Sequence, residues 1–497
     1  MFFTLSAYIG LILTILLYLY LTRNFNYWKK RNIDYVKPVA IFGNIYKVVT
    51  LQSFMGEFLA ELYNITKKPF IGFFAFDKPF LLIRDPELIK RCLIKDFEHF
   101  DDRSVMENRR DDEIGSNILF VLKNPAWKSV RVRFTPVFAT GKMRGLLPLI
   151  LEASNDLIAY IKNIAVKETA TETREVAMKF TTDIISSCAF GISSHCFLDE
   201  NATFREASRR VFDWSIGRKI STAAYFFAPL LVKLFRLKFL EPNATQFIYD
   251  IFESTIAERE KSKAYRGDLI DMLIQIRNQN QPGAYQFDGK MLAAQATQFF
   301  VAGFETTGST ISFSLYELSL NPTVQDRVRE EIRTVIKKHG GITYEAIQEM
   351  DYLNMTVKET LRKYPVLPFI DRRCTKPYNI PGTDVTIEKD VPIYISLLGL
   401  HYDAEYFPNP EKYDPERFTI ENKSTRPADA YIPFGEGPRN CIGARFGELG
   451  TKVALIRILA EFEVEVCKKT RIPLKFDPKG FLIAPKNGID LHFKRKE

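Results

Sequence analysis

The chain has 497 residues, and 69 basic against 60 acidic side chains leave a formal charge of +9, with 46% hydrophobic, 26% charged and 13% aromatic residues. The 41 Phe and 22 Tyr exclude intrinsic disorder, and only 6 Cys in so long a chain exclude a disulfide scaffold. Placement of the charge argues against nucleic acid as a partner: residues 1–31 hold four cations and no acid, Lys494-Arg495-Lys496-Glu497 add two net charges, and residues 32–493 carry only +3.

Met1 to Thr22 contains no charged side chain. A run of about 20 apolar residues matches a hydrocarbon core of about 30 Å, whereas a cleaved signal has a shorter apolar stretch and small residues at its end. Here the end is Tyr18-Leu19-Tyr20-Leu21, followed by Arg23, Lys29, Lys30 and Arg31 with Tyr27 and Trp28 between them, an interfacial and positive-inside pattern. Residues 1–22 therefore read as a transmembrane anchor. Residues 23–45 read as a basic stop-transfer and connector containing Lys37-Pro38 and Phe42-Gly43-Asn44, and 46–497 as one folded body in the cytoplasm. On that side of the membrane the sequons at Asn64, Asn201, Asn243, Asn354 and Asn422 are chance matches.

Within the body, the apolar and aromatic density of residues 70–84, ending at Asp85-Pro86, predicts a small sheet and then a helix start. Most of 86–360 is helical in pattern, with clear 3.6-residue periodicity over Asp268 to Ile276 and Met291 to Leu320, the latter stopped by Asn321-Pro322. Residues 225–240 mix large apolar side chains with Lys233, Arg236 and Lys238. They suit either an interfacial segment with snorkelling cations or a buried helix pair broken at Pro229. From 364 to 440 frequent Pro and Gly predict short strands and loops, then helix returns at 443–462 before terminal strands. The fold class is mainly α with a small β component.

Chemistry concentrates in Phe434-Gly435-Glu436-Gly437-Pro438-Arg439-Asn440-Cys441-Ile442-Gly443, a cysteine in a glycine-rich loop just before a helix. A thiolate metal ligand needs backbone amides aimed at sulfur, and glycines let the backbone turn and approach closely. Gly443 would leave room for a flat cofactor, and Arg439 supplies a cation suited to a carboxylate. Zinc is disfavoured, because there is no C-x-x-C pair and the five His never fall at i, i+4. The alternative is a structural cysteine in a turn.

The loop resembles the haem-thiolate loop of cytochrome P450, F-x-x-G-x-R-x-C-x-G, at every fixed position. Further segments resemble that family in its order. Trp127-Lys128-Ser129-Val130-Arg131 is similar to W-x-x-x-R, whose Trp and Arg face one way at i, i+4 and would bond a haem propionate. Ala302-Gly303-Phe304-Glu305-Thr306-Thr307 resembles the oxygen-binding groove. There Ala302 and Gly303 would open space for O2, Thr306 would hydrogen-bond the bound species, and Glu305 would face a proton supply about 100° away. Glu359-Thr360-Leu361-Arg362 matches E-x-x-R, and Arg417 in Asp414-Pro415-Glu416-Arg417-Phe418 would complete its structural network. Arg372 stands where the family has another propionate-binding Arg, with Arg373 as a neighbouring candidate.

The resemblance, which looks like insect microsomal members of the xenobiotic-metabolising type, spans the chain. It implies a cytochrome P450 fold after a transmembrane helix, haem b (iron protoporphyrin IX) held by Cys441, and a haem-thiolate catalytic domain over 46–497 in the endoplasmic reticulum membrane. It further implies a monooxygenase that inserts one atom of O2 into small apolar substrates: xenobiotics such as plant compounds or insecticides, or endogenous lipids. Electrons would come from NADPH through NADPH-cytochrome P450 reductase, with cytochrome b5 as a further partner. Docking cations would be Lys128, Lys142, Arg144 and Arg445. Substrate contacts are expected from residues 101–120, Trp214, Phe299, Ala302, Thr306, Val366 to Ile370 and Gly480-Phe481-Leu482-Ile483, although the charge of 101–120 predicts that much of it faces solvent. The competing functions are a non-redox isomerase or dehydratase, which usually lacks the acid–threonine pair kept here, and a non-catalytic haem protein that binds ligands. One departure from the family is a connector with a single proline, Pro38.

Overall fold

The computed structural model describes residues 2–199, 201–213, 215–279, 287 and 289–496. The apolar run forms a helix, Phe2–Thr22, the one helix among the described residues long and apolar enough to cross a membrane, and none of its spanning window is buried against the body.

The basic segment that follows is built into the body. Trp28 is 1% exposed, and its indole N–H donates to Phe73 O at 3.2 Å. Its ring lies over Gly72, where a Cβ would meet the indole at 2.6 Å. Val36 N–H donates to Gly72 O at 3.1 Å and Gly72 N–H to Asp34 O at 2.8 Å, while the Asn44 carboxamide oxygen accepts from Phe74 N–H at 2.7 Å. Backbone pairing thus supplies the stiffness that a single proline cannot.

The predicted small sheet begins with β1 (Phe70–Ala75) and β2 (Lys78–Ile83), and Asp85 caps the next helix by accepting from Leu88 N–H, with Pro86 in its first turn. The remaining strands are β3 (Thr171–Glu172), β4 (Phe369–Arg373), β5 (Tyr378–Asn379), β6 (Thr386–Ile387), β7 (Pro392–Ser396), β8 (Phe462–Val466) and β9 (Asp490–Arg495). They form sheets ordered β1-β2-β7-β4, β3-β9-β8 and β5-β6. The first is antiparallel except for β2 beside β7, so a strand from near residue 80 lies along one from near residue 394.

Helices dominate elsewhere, as the periodicity predicts. The central helix, Gly289–Leu320, is buried along most of its length. Its tightest neighbour is the helix Thr173–Ile185: a Cβ on Gly303 would meet Ile185 Cδ1 at 2.3 Å, and one on Gly308 would meet Met178 Sδ at 2.8 Å. The segment 225–240 is a helix pair broken at Pro229, buried on one side and exposed on the other. Its helices, Ile216–Phe227 and Pro229–Phe235, break at Pro229 and bury Tyr225, Phe226, Phe227 and Val232, while Leu230, Leu234 and Phe235 are exposed beside Lys233 and Arg236.

On the helix Asp351–Lys363 the E-x-x-R pair is fully dehydrated. Both side chains are 0% exposed, and Arg362 donates to Glu359 through Nε at 2.7 Å and Nη2 at 2.9 Å. The same guanidinium donates to His401 O at 2.9 Å and Pro410 O at 2.7 Å; Glu359 accepts from Asp414 N–H at 2.9 Å and has Arg417 Nε at 3.3 Å. His401, which no sequence motif singled out, extends this network. Its Nδ1 lies 3.2 Å from Arg362 O, and Nε2 accepts from Ile432 N–H at 3.3 Å, so the carbonyl and the amide between them require the neutral Nδ1–H ring.

Two tests follow from this frame. Truncating Trp28 to Ala removes an indole packed on a glycine-flat strand, and thermal or denaturant unfolding should show a loss of about 3–5 kcal/mol. Burial, and then the Arg362 charge, push the His401 pKa down to about 3. An unfolded His titrates near ~6.5, so from there down to about 3 the unfolded state holds a proton that the folded state refuses. Stability should fall as pH falls through that window by up to about 1.4 kcal/mol per pH unit from this group. In His401→Gln, the dependence of unfolding free energy on pH between 6 and 4 should be shallower by one proton.

Candidate active site

The cysteine loop is shaped by two glycines in the left-handed region, Gly435 (φ 70°) and Gly437 (φ 72°). Space enforces the second, since a Cβ on Gly437 would lie 1.8 Å from Leu93 O. Cys441 N–H donates to Phe434 O at 2.8 Å, closing the loop. Cys441 is the one cysteine with an exposed side chain, and its exposure is to the lumen of a cavity of about 460 Å³. Burial raises its thiol pKa, opposed first by the Gly443 N–H directed at sulfur and then by the Arg131 charge. Gly443 faces open space, its nearest would-be neighbour being Phe138 at 3.8 Å.

Across the cavity stands one face of the central helix, with Ala302, Gly303, Thr306 and Thr307 in the wall. Thr306 Oγ1 donates to Ala302 O at 2.6 Å. Glu305 is not in the wall. It is 3% exposed and ion-paired with Arg174 of the helix Thr173–Ile185, on the flank turned away from the lumen. Gly303 is likewise required for packing on Ile185 and not only for open space.

The third wall is cationic. Arg103, Lys123, Arg372, Arg373 and Arg439 gather around the carboxylates Asp102 and Asp371. Arg103 bonds Asp371 at 2.8 Å, Arg373 bonds Asp102 at 2.8 Å, and Arg439 reaches Asp102 at 3.4 Å. Lys123 donates to Val105 O at 2.7 Å, and Asp102 and Asp371 oppose the effect of burial on its charge. Burial and the Arg103 charge lower the Arg372 pKa to about 9, and burial lowers Lys123 to about 8. Cations exceed acids in a dehydrated place, which disfavours charge unless an anion is supplied. Arg372 is 1% exposed and in the cavity wall, and its Nε and Nη2 have no hydrogen-bond partner among the described residues. Arg373, by contrast, turns away to Asp102. Arg439 lies over the Trp127 ring at 4.2 Å and donates to Leu122 O at 2.8 Å and to Asp101 O. Arg131 donates to Asn440 O at 2.8 Å and Asn440 Oδ1 at 2.6 Å, which ties it to the cysteine loop. Orphaned guanidinium N–H groups beside open space over Gly443 fit a flat cofactor with a carboxylate-bearing edge. Arg103, Lys123, Asp102 and Asp371 carry no motif spacing, so the sequence offered no signal for them.

The charged stretch 101–120 departs from expectation. Only Arg109, Arg110 and Glu113 are exposed, because Asp102, Arg103 and Asp112 are spent on buried pairs and backbone amides, and Arg103, Ile118, Leu119 and Phe120 reach the cavity. Phe299, Ile370 and Phe481 also line it as expected, Ile483 is buried outside the wall, and Trp214 lies outside the described residues. At the mouth Lys219 straps separate segments together, donating to Pro478 O at 2.6 Å and Val48 O at 3.4 Å.

Comparison with known proteins agrees with this geometry. The family model for cytochrome P450 matches residues 34–491. The chain is 44% identical over 496 residues to cytochrome P450 6k1 of Blattella germanica, covering 96% of this chain and 94% of that one. It is 42% identical to cytochrome P450 6j1 of the same organism, covering 97% and 96%, and 36% identical to the probable cytochrome P450 6g2 of Drosophila melanogaster, covering 96% of each. With a cysteine in the family's loop, a cavity above it and these matches across its length, the chain belongs to the cytochrome P450 family and is a haem monooxygenase.

Proposed function

We propose that this monooxygenase holds haem b through the Cys441 thiolate and inserts one atom of O2 into small apolar substrates, xenobiotics or lipids, using electrons from NADPH. The observation that carries this reading is the opening of Cys441 into a mainly apolar cavity faced by Ala302 and Thr306. When bound, thiolate-ligated haem supplies O2 activation.

The chain's own residues do the rest. Gly443 N–H stabilises charge on the Cys441 sulfur, and Phe434 O fixes the loop behind it. Trp127, Arg131, Arg372 and Arg439 hold the carboxylate edge, with the unpartnered Nε and Nη2 of Arg372 as the strongest unmet demand among them. Phe299, Ile370 and Phe481 orient an apolar ligand and exclude water. Thr306 Oγ1 lies in the wall, so breaking its bond to Ala302 O would let it hold a proton toward the lumen. Glu305 moves a proton only after Arg174 releases it, because an ion-paired carboxylate is a poor proton carrier.

Outside the cavity, the apolar helix Phe2–Thr22 supports anchoring in the endoplasmic reticulum membrane, and Leu230, Leu234 and Phe235 support a second seat at the interface. Lys128 and Arg445 are exposed, Lys142 is half-buried and exposed Arg144 pairs with Glu345, and these cations are the proposed docking points for an acidic reductase and for cytochrome b5.

The reduced, carbon monoxide-bound spectrum tests the ligand assignment. The wild-type chain should give the long-wavelength Soret band of thiolate-ligated haem, and Cys441→Ser should lose it; a band typical of imidazole-ligated haem in the wild type would sink the assignment. With reductase and a panel of apolar substrates, Thr306→Ala should lower the fraction of NADPH consumption coupled to product by on the order of tenfold or more. Unchanged coupling would remove Thr306 from proton handling.

A further inference from the structure

Two glutamines on the central helix face a stretch of chain that has no regular structure of its own. After the short helix Glu113–Asn117 the backbone turns at Ile118, and two successive amides, those of Leu119 and Phe120, point out of the turn. Leu119 N–H donates to Gln295 Oε1 at 3.2 Å, and Phe120 N–H donates to Gln298 Oε1 at 3.3 Å. Gln295 returns a bond from Nε2 to Asn117 O at 2.6 Å, which fixes which way round its amide lies, since the carbonyl can only accept and the Leu119 amide can only donate. Gln295 is 1% exposed, and Gln298 is half-buried in the cavity wall.

At three residues apart, Gln295 and Gln298 are neighbours on the helix surface, and Ala302 and Thr306 continue that stripe at spacings of four. The segment they hold supplies Ile118, Leu119 and Phe120 to the cavity. Phe120 is moreover wedged between the Arg103 guanidinium, 4.3 Å from its ring, and Phe239, stacked at 6.3 Å. The Phe120 ring therefore touches both the cationic cluster and the chain that follows the helix Pro229–Phe235.

We propose that Gln295 and Gln298 are positioning residues for substrate selection: they register the 118–120 wall against the Ala302–Thr306 face, and so set the width of the space in which an apolar ligand lies above Cys441. Without them two amides would be left unpaired in an apolar surround, a cost that the segment avoids only by moving. The proposal rests on reading the cavity as the substrate site. It concerns a hydrogen bond made by the Gln298 oxygen, so a carboxylate at 298 preserves the acceptor and a Leu of similar size removes it.

The experiment compares the full-length chain with Gln298→Leu and Gln298→Glu. Amide exchange measures the Phe120 N–H directly. Spectral titration with imidazole reports on the iron, and titration with an imidazole carrying three aryl rings (clotrimazole) reports on the iron and the walls together. In Gln298→Leu the Phe120 amide should exchange at least tenfold faster, and the ratio of the two dissociation constants should change at least fivefold. In Gln298→Glu both should stay within about twofold of wild type. If Gln298→Leu leaves exchange and ratio unchanged, or if Gln298→Glu behaves as Gln298→Leu does, the positioning role is overturned. Failure of imidazole to bind the wild-type chain would sink the haem reading instead, and the exchange result alone would then judge the clamp.

Discussion

The ion pair between Glu359 and Arg362 is the contact on which the arrangement around the cysteine loop depends. Both groups are wholly removed from water. Losing one partner of such a pair costs about 3–5 kcal/mol, against a typical total stability of about 5–15 kcal/mol. The pair is held by further bonds: Arg362 donates to the carbonyls of His401 and Pro410, and Glu359 accepts from Asp414 N–H. Through these bonds a helix, a meandering loop and, by way of His401 and Ile432, the approach to Phe434 and Cys441 become one rigid unit.

A second constraint works in the opposite sense. The wall carrying Arg372 and Arg439 concentrates positive charge where water is scarce, and the described residues leave Nε and Nη2 of Arg372 without partners. Because Arg372 lines the cavity, those unpaired nitrogens fit the carboxylate edge of a haem. Binding an anionic edge there would stabilise the folded state by mass action, so cofactor uptake and stability are linked. Close packing sets the other limits: Gly437 against Leu93 O admits no side chain, and a side chain at Gly303 would have to displace Ile185.

Much of this was legible in the sequence, and the reasons are local. Chain spacing fixes which helical residues share a face, so the Trp127/Arg131, Ala302/Thr306 and Glu359/Arg362 relations were readable without coordinates. The apolar run to Thr22, the strands before Asp85-Pro86 and the stop at Asn321-Pro322 were likewise carried by composition and by proline. What failed was inference from charge. The acids and bases of 101–120 suggested solvent, yet Asp102 and Asp112 are buried and Arg103 is largely covered, because partners far along the chain, Arg373, Phe239 N–H and Asp371, meet them there. The ion pair of Glu305 with Arg174 was equally invisible, since the two lie on different helices far apart in sequence. His401 was invisible, since its role comes from two backbone groups, at Arg362 and Ile432, and backbone groups leave no sequence signature.

The sequence by itself determined the elements, the membrane-length helix and the residue types able to do the chemistry, because these depend on the solvent preference of short segments and on spacing within one helix or loop. Only the tertiary structure decided which charge meets which. It turned Arg372 and not Arg373 into the cavity, paired Glu305 with Arg174, and laid the wall at 118–120 against Gln295 and Gln298. Each of these contacts joins residues dozens to hundreds of positions apart. Their energies arise from shared burial in three dimensions, which no local pattern encodes.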